Sequence, residues 1–312
     1  MNKENIADLI WQYRIKRPFF VHSNDPDEFA PGTLYHYTGP TGVKGILESR
    51  HLWATNFSFM NDPTEVLYGL ELACDILQDM KGQDTGGLLA AIEKSLCKQA
   101  TSEVYVCSFT KCRDDLSQWR AYGAARSERY CIGFKFTEIE KMAEEKMTEE
   151  LVEVEYNKGK QSDLIRKEID LAIDLVTKES LLQDDDIQEI AERVAAFIAR
   201  RLPQMKAPSY EAEEEWRVIL WVPGNDVSKV NFDTTRGVVR PYVTFPTNHE
   251  ERRTHCHGEE VNKPQPLPVT ELLVLAPGRK DISVKVANML LRKAGIREDV
   301  KAEKSKVPFA EW

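Results

Sequence analysis

The segment between Thr33 and Glu65 most constrains the fold, because it alternates short apolar runs with turn and helix signals. Residues 34–37 form an apolar run that predicts a β-strand, and residues 39–42 form a turn that contains Gly and Pro. Residues 43–47 place apolar side chains on one face of a short helix. A second strand is predicted at 52–55, and Asn-Asp-Pro at 61–63 is typical of a helix start.

The rest of the chain continues this mixture and defines the fold class. Further strands are predicted at 103–109, 130–136, 151–156, 213–222, 237–245 and 271–276. Helices are predicted at 66–77, 88–96, 116–122, 137–149 and 282–294. We therefore predict an α+β fold with a mixed β core, flanking helices and a β-rich second half. Residues 1–30 are expected to form an N-terminal helix and linker, and residues 31–312 a single domain.

One segment interrupts the β-rich second half with helical periodicity. Apolar residues at helical spacing predict two long amphipathic helices between Gln161 and Leu202, separated by acidic residues at 183–186. We interpret them as a helical hairpin inserted between strands at about 160–205. The acidic run is interpreted as a solvated turn and helix start rather than a metal site. The hairpin, at 161–202, is a candidate surface for docking another protein.

Charge limits the classes of function. The chain has 312 residues, of which 42% are hydrophobic, and its formal net charge is −9. A chain of this length can bury a sizeable core. The negative charge argues against generic, charge-driven binding of nucleic acids. A local basic groove remains open as an alternative, because Arg113, Arg120, Arg126 and Arg129 lie close together in the sequence.

Three further features predict a cytoplasmic protein that does not associate with membranes. No run approaches the roughly 20 apolar residues that a membrane-spanning helix needs. Residues 1–5 lack a basic region followed by an apolar core, so no secretory signal is predicted. The six cysteines show no C-x-x-C spacing, and Cys107 and Cys131 lie in apolar runs that are typical of reduced core residues.

Several residues are candidates for a site, although each also has a structural explanation. His36 lies in an apolar strand, where a lone histidine is more often a core residue with its hydrogen bonds satisfied. Ser108 ends a predicted strand, so its hydroxyl could contact a ligand or cap the strand. Trp119 and Tyr122 have the spacing of core aromatics on one helix. None of these residues by itself identifies a functional site.

Four sequence blocks occur in order between residue 33 and about residue 220. They are Leu34-Tyr35-His36-Tyr37-Thr38, Asn61-Asp62-Pro63-Thr64-Glu65, Cys107-Ser108-Phe109 through Trp119-Arg120-Ala121-Tyr122, and Glu213-Glu214-Glu215-Trp216-Arg217. In these blocks the chain resembles bacterial domain-of-unknown-function family 2971, which is itself distantly similar to ADP-ribosyltransferases. The resemblance implies an ADP-ribosyltransferase-like mixed β core with flanking helices and an inserted helical hairpin.

The same resemblance implies a site that takes NAD as its substrate and cleaves the bond between nicotinamide and ribose. His36 would hold a ribose hydroxyl, and the peptide at Tyr37 would bond the nicotinamide amide. Trp119 or Tyr122 would supply an aromatic wall, and Ser108 would touch the ligand. Because positive charge develops on the anomeric carbon during cleavage, a carboxylate must also lie near the ribose.

One glutamate of the run 213–215 would be that catalytic carboxylate. Strand alternation groups Glu215 with Arg217 on one face and puts Glu214 on the other, but does not identify the face that lines a cleft. Glu215 is favoured because the motif reads Glu-Trp-Arg, ahead of Glu213 and then Glu214. Without the resemblance, the run is interpreted as the acidic start of a strand with solvated carboxylates.

The remaining candidates concern phosphates and metals. Arg120 would bind the pyrophosphate of NAD, or it would pair with Asp115 one turn earlier. His255-Cys256-His257 contains metal-binding residue types, but adjacent residues cannot direct three ligands at one ion, and no complementary Cys pair exists. No glycine-rich phosphate-binding motif occurs. We therefore predict no metal site.

These features favour an ADP-ribosyltransferase-like enzyme that modifies a macromolecule, either a protein or a nucleic acid. By analogy with the fold, its role would be in phage defence or as a toxin. One alternative is an NAD glycohydrolase, and another is a non-catalytic module on the same fold that binds a nucleotide or a protein. His36 and a glutamate facing one cleft with Trp119 or Tyr122 would favour the enzyme. Solvated glutamates and a packed His36 would favour the module.

Overall fold

The fold is described from a computed structural model of the chain. The described residues are 31–60, 64–99, 104–122, 127–144, 149–178, 183–222, 226–234, 237–246, 267–276, 278 and 280–308. Four sequence features therefore lie outside the described residues: the expected N-terminal helix and linker at 1–30, Asn61-Asp62-Pro63, Arg126 and His255-Cys256-His257.

A sheet of ten strands forms the centre of the described part of the chain. The strands are β1 (Thr33–Thr38), β2 (Leu52–Asn56), β3 (Val104–Thr110), β4 (Arg129–Lys135), β5 (Glu149–Glu153), β6 (Glu215–Trp221), β7 (Asn231–Asp233), β8 (Arg240–Phe245), β9 (Val269–Leu275) and β10 (Ala302–Lys304). Their order is β10-β9-β4-β1-β3-β2-β8-β7, and β6 pairs with both β3 and β5. The β9–β10 pair is parallel and the other strand pairs are antiparallel, so the sheet is mixed.

Helices cover both faces of this sheet, which confirms the predicted α+β class. They are α1 (Pro40–Ser49), α2 (Thr64–Asp79), α3 (Leu88–Gln99), α4 (Leu116–Ala121), α5 (Phe136–Glu144), α6 (Lys158–Lys178), α7 (Asp184–Arg201) and α8 (Lys280–Lys293). Apolar side chains of α1, α5 and α8 share one core with Cys107 and Phe109 of β3. Those of α2, α3, α6 and α7 share a second core with Val104 and Val106. Alternating residues of β3 thus face opposite cores, as the pleat of a strand requires.

The helices α6 and α7 form a hairpin between β5 and β6, two strands that pair with each other. The acidic run lies in the first turn of α7, where Gln183 and Asp186 form a reciprocal cap. Apolar residues of α7 are buried against α3 and α6, and α6 also contacts α2. Because helices of the same chain cover these inner faces, protein docking on the hairpin stays a prediction for its outer, charged face.

Two compositional expectations can be examined in the described residues. Cys107 and Cys131 are buried and free, as expected for reduced core cysteines. None of the described helices combines the length and the apolar character needed to cross a membrane.

The two edges of β3 are occupied differently, and this difference positions the site. Along one edge, β6 pairs with β3 over its whole length, from Val104 to Thr110. Along the other edge, β2 pairs only at residues 105–106, and β1 meets β3 only at Thr110. No described strand pairs with residues 107–109 on that edge, so β1 and β2 diverge there and leave a gap.

Candidate functional site

A cleft of about 580 Å³ lies at this gap. The stretch of β3 from residue 106 to residue 110 contributes to its lining, together with β1 and the first turn of α1. Residues of β2 and β8, the end of α4, the start of β6 and Asp233 of β7 also contribute to the lining. The volume falls within the range that is usual for sites that bind small molecules.

His36 projects from β1 beside the unpaired stretch of β3. Its Nδ1 atom lies 2.8 Å from the carbonyl oxygen of Ser108. Because a carbonyl only accepts hydrogen bonds, Nδ1 carries the proton and Nε2 is left as an acceptor. Burial lowers the pKa of His36, although the hydrogen bond to Ser108 acts in the opposite direction. His36 is therefore neutral at pH 7 and can accept a hydrogen bond from a ligand hydroxyl.

Ser108 contributes a buried hydroxyl to the same cleft. In the register between β3 and β6, Ser108 lies opposite Arg217 and Thr110 opposite Glu215, so these side chains share one face of the sheet. The Ser108 Oγ atom has no hydrogen-bond partner of normal geometry. It nevertheless lies close enough to Glu215 to lower the pKa of that carboxyl. The hydroxyl therefore lies beside the carboxylate, at the lining of the cleft.

Glu215 begins β6 and belongs to a buried network of ion pairs. Arg217 donates from Nε to Oε1 and from Nη2 to Oε2 of Glu215, both at 2.8 Å. Lys206 Nζ donates to Oε2 at 3.0 Å. Arg217 also donates to Glu65 Oε2 and to the carbonyl oxygen of Pro203, both at 2.7 Å. Each buried charge is therefore both paired and hydrogen-bonded, as an interior charge must be.

The network keeps Glu215 ionised. Burial acts to raise the pKa of Glu215, but the charge and hydrogen bonds of Arg217 and the charge of Lys206 lower it to about 2. Burial likewise acts to lower the pKa of Lys206, and the charges of Glu215 and Glu65 outweigh this effect and raise it. At neutral pH the cleft therefore contains a permanent carboxylate whose charge is largely matched within the protein.

The other two glutamates of the run take different positions. Glu213 is half-buried, lines the cleft and accepts a hydrogen bond from Lys206 Nζ at 2.6 Å. Glu214 is exposed, adopts a left-handed φ of 42° at the end of a short 3-10 helix, and lies 3.3 Å from the Sγ of Cys112. Glu214 precedes β6 and does not line the cleft, whereas Glu213 and Glu215 do. Glu215 and Glu213 are therefore the two candidate carboxylates.

Trp119 and Arg120, for which the resemblance implies cofactor contacts, are not among the residues that line the cleft. Trp119 is fully buried, packs edge-to-face on Tyr37 at 4.8 Å and donates from Nε1 to Asp114 at 2.8 Å. Arg120 is exposed to solvent. The cleft is lined by residues 118, 121 and 122, which share one face of a helix, whereas 119 and 120 point elsewhere.

Tyr122 is the residue of this helix end that supplies an aromatic surface to the cleft. Burial raises the pKa of Tyr122, and the nearby charges of Glu215 and Glu213 raise it further. Its hydroxyl is therefore protonated at neutral pH and can donate. Tyr37 also lines the cleft, but its hydroxyl is already engaged because it donates to the carbonyl of Cys112 at 2.9 Å.

This arrangement suits the recognition of a sugar and the stabilisation of positive charge. A neutral histidine, two hydroxyls and an ionised carboxylate can bond ribose hydroxyls and place negative charge beside an anomeric carbon. Among the described residues, no group of three or more His, Cys, Asp or Glu side chains is arranged to hold a metal ion.

Sequence reasoning missed several residues of the site. Glu65 stands in the second sequence block and pairs with Arg217 in the fourth, so membership of a block was the available signal. Lys206 lies in the segment after the hairpin, where no periodic pattern marks it. On β8, Arg240 and Tyr242 lie on one face of the strand, and the buried Val243 and Phe245 lie on the other. This alternation is a signal from which the cleft-facing side of β8 could have been predicted.

Comparison with known protein families finds a match over part of the chain. No curated protein and no solved structure matches the chain. The matched segment, residues 118–218, spans roughly one third of the sequence, and includes Tyr122 and Glu215 but not His36 or Ser108. Over these residues the chain matches the family described as "Protein of unknown function (DUF2971)", the family that the sequence blocks resemble.

Proposed function

We propose that the cleft binds NAD and that the protein cleaves the bond between nicotinamide and ribose, transferring ADP-ribose to a macromolecular acceptor. One observation carries this proposal: His36 and Glu215, far apart in the sequence, line a single cleft together with Ser108 and Tyr122. The burial of Glu215 and its place beside His36 in the cleft support the enzyme over the alternative of solvated glutamates and a packed histidine.

Each residue then has a physical role. The neutral His36 accepts a hydrogen bond from a ribose hydroxyl, and Tyr122 packs against the nicotinamide. A carboxylate offers about four acceptor positions, and the network uses three of them on Glu215. The remaining position, on Oε1, accepts a second ribose hydroxyl and holds negative charge near the anomeric carbon.

In the reaction, nicotinamide leaves with the electron pair of the glycosidic bond. A nucleophilic oxygen or nitrogen of the acceptor forms the new bond to the anomeric carbon and releases its proton to solvent. When water takes the place of the acceptor, the same site acts as an NAD glycohydrolase and releases free ADP-ribose.

One observation favours a second candidate, a non-catalytic module that binds a nucleotide. Arg217 and Lys206 lie within hydrogen-bond distance of the Glu215 carboxylate. Two cations so close to one carboxylate weaken the field that it can exert on a developing positive charge. A binding module would need the ion-pair network for stability alone.

Calorimetric titration with NAD, combined with an assay of nicotinamide release, tests the proposal. We expect His36→Ala to bind NAD at least tenfold more weakly, the loss of about one hydrogen bond. We expect Glu215→Gln to keep NAD binding and to release nicotinamide on the order of 10²- to 10³-fold more slowly, because charge stabilisation is lost.

Glu213→Gln serves as the matched control, since it removes a neighbouring carboxylate that also contacts Lys206. Release that fails in Glu213→Gln and persists in Glu215→Gln would reassign the catalytic carboxylate. Wild-type protein that binds NAD and releases no nicotinamide would select the binding module. No binding by the wild type at millimolar NAD would overturn the assignment of the cleft to NAD.

A further inference from the structure

The half of the cleft formed by β2 and β8 has no role in the chemistry described above. Thr55 and Tyr242 are paired across these strands, so their side chains share a face. The rings of Trp53 and Tyr242 stack with a centroid distance of 4.8 Å and an angle of 26°. Arg240 lies two residues before Tyr242 and therefore shares its face. All four residues line the cleft.

Arg240 is held in place but is not saturated with hydrogen bonds. Its Nη2 atom donates to Asp233 Oδ2 at 2.6 Å, and only 14% of its side chain is exposed. Its Nε atom is buried and has no hydrogen-bond partner. Leaving a buried donor of a charged group unpaired is costly, and a ligand in the adjoining cleft that accepts its hydrogen bond would remove that cost.

Charge indicates the class of that ligand. Of the described residues that line the cleft, Arg240 is the only lysine or arginine. Guanidinium groups bind phosphate oxygens with matched geometry. Asp233 neutralises part of the charge and fixes the side chain, so Arg240 contributes a directed hydrogen bond more than long-range attraction.

We propose that this half of the cleft is a binding subsite for a nucleoside diphosphate. Arg240 Nε donates to a phosphate oxygen, and the stacked Trp53–Tyr242 pair lies beside the base. The inference rests on the proposed function and adds an orientation to it. The diphosphate of the dinucleotide lies toward β2 and β8, and the ribose that reacts lies toward His36 and Glu215.

Calorimetry with ADP and with adenosine tests the subsite without any bond cleavage. We expect the wild type to bind ADP, and Arg240→Met to bind ADP about 10- to 100-fold more weakly, as for one charge-assisted hydrogen bond. Affinity for adenosine, which has no phosphate, should be unchanged. Arg120→Met, which removes an exposed arginine outside the cleft lining, is the matched control and should bind ADP as the wild type does.

Arg240→Lys provides the second variant, because lysine can keep the ion pair with Asp233 but has no Nε–H donor. Arg240→Lys should lose ADP affinity as Arg240→Met does. If Arg240→Met fails to fold, the comparison of ADP affinity is made between the wild type and Arg240→Lys. Equal ADP affinity in wild type and Arg240→Lys, or no ADP binding by the wild type at millimolar concentration, would overturn the inference.

The two proposals fail separately. ADP binding that depends on Arg240, without release of nicotinamide from NAD, would leave the subsite standing and remove the enzymatic function. Conversely, nicotinamide release with a KM for NAD that is unchanged in Arg240→Lys would keep the enzymatic function and remove the subsite.

Discussion

Arg217 on β6 and Arg240 on β8 are two arginines of one sheet that differ in how far their hydrogen bonds are satisfied. All three nitrogens of Arg217 have partners, in Glu215, Glu65 and the carbonyl of Pro203. Arg240 has its ion pair with Asp233 and a buried Nε without a partner. Both side chains are largely buried, so exposure does not explain the difference.

The contrast separates two uses of buried charge. A guanidinium whose three nitrogens all donate hydrogen bonds holds three segments of the chain together and keeps Glu215 ionised. Arg240 is held at one end beside the cleft, and its Nε atom is a buried donor without a partner. On the proposed assignment, the number of satisfied nitrogens is what separates the structural Arg217 from an arginine that binds a ligand.

The largest expected effect on stability comes from replacing Arg217, whose three nitrogens all have hydrogen-bond partners. Arg217→Met would leave the buried Glu65 and Glu215 with Lys206 as the one cation that they still share in the network, so we expect the free energy of unfolding to fall by about 3–5 kcal/mol. Urea denaturation followed by circular dichroism measures this loss. Arg193→Met removes a more exposed partner of Glu189, and should cost less than about 1 kcal/mol. Similar losses of unfolding free energy in both variants would show that the buried network contributes no more to stability than an exposed ion pair does.

Acid should weaken the same network by a smaller amount. The pKa of Glu215 is about 2 in the folded chain against an ordinary value of 4.5. The unfolded chain therefore binds a proton first as the pH falls below 4.5, and the stability contributed by ionised Glu215 is lost between pH 4.5 and 2. We expect the wild type to lose about 2 kcal/mol more than Glu215→Gln between pH 5 and pH 3. If the free energy of unfolding falls equally with pH in the wild type and in Glu215→Gln, then Arg217 and Lys206 do not lower the pKa of Glu215.

The smallest effect is expected for Arg120, which the sequence placed at the pyrophosphate and the structure places in solvent. Arg120→Ala should change the free energy of unfolding by less than about 0.5 kcal/mol. Its affinity for NAD, measured by calorimetry, should stay within about twofold of the wild type. A loss of NAD affinity comparable with that of the Arg240 variants would instead place the pyrophosphate near α4.

Much of the fold could be predicted from periodicity. The strands expected at 130–136 and 271–276 occur at Arg129–Lys135 and Val269–Leu275, where apolar residues are buried in strands that have a neighbour on each side. The three-residue strands β7 and β10 lie at the two ends of the main strand order, and most of their side chains are exposed. Such strands carry no apolar alternation, so the sequence could not reveal them.

The residues that line the cleft were easier to predict where they lie on strands than where they lie on a short helix or a loop. His36, Ser108 and Glu215 lie on or at the ends of strands, and they line the cleft. For the short helix α4, spacing alone did not show that residues 118, 121 and 122 face the cleft while Trp119 is buried. Lys206 was missed because its role depends on a loop that folds back on β6, which no local pattern records.

The pairing of β3 with β6 also sets an order of events during synthesis. Thr110 must wait for its partner Glu215 to be made, and the whole helical hairpin is translated in between. Until then, β3 has one edge without β6, and unpaired strand edges favour association with other chains. The same delay means that a nascent chain ending before Glu213 contains no cleft carboxylate from the run 213–215. If the protein consumes NAD, that activity begins only after most of the chain has left the ribosome.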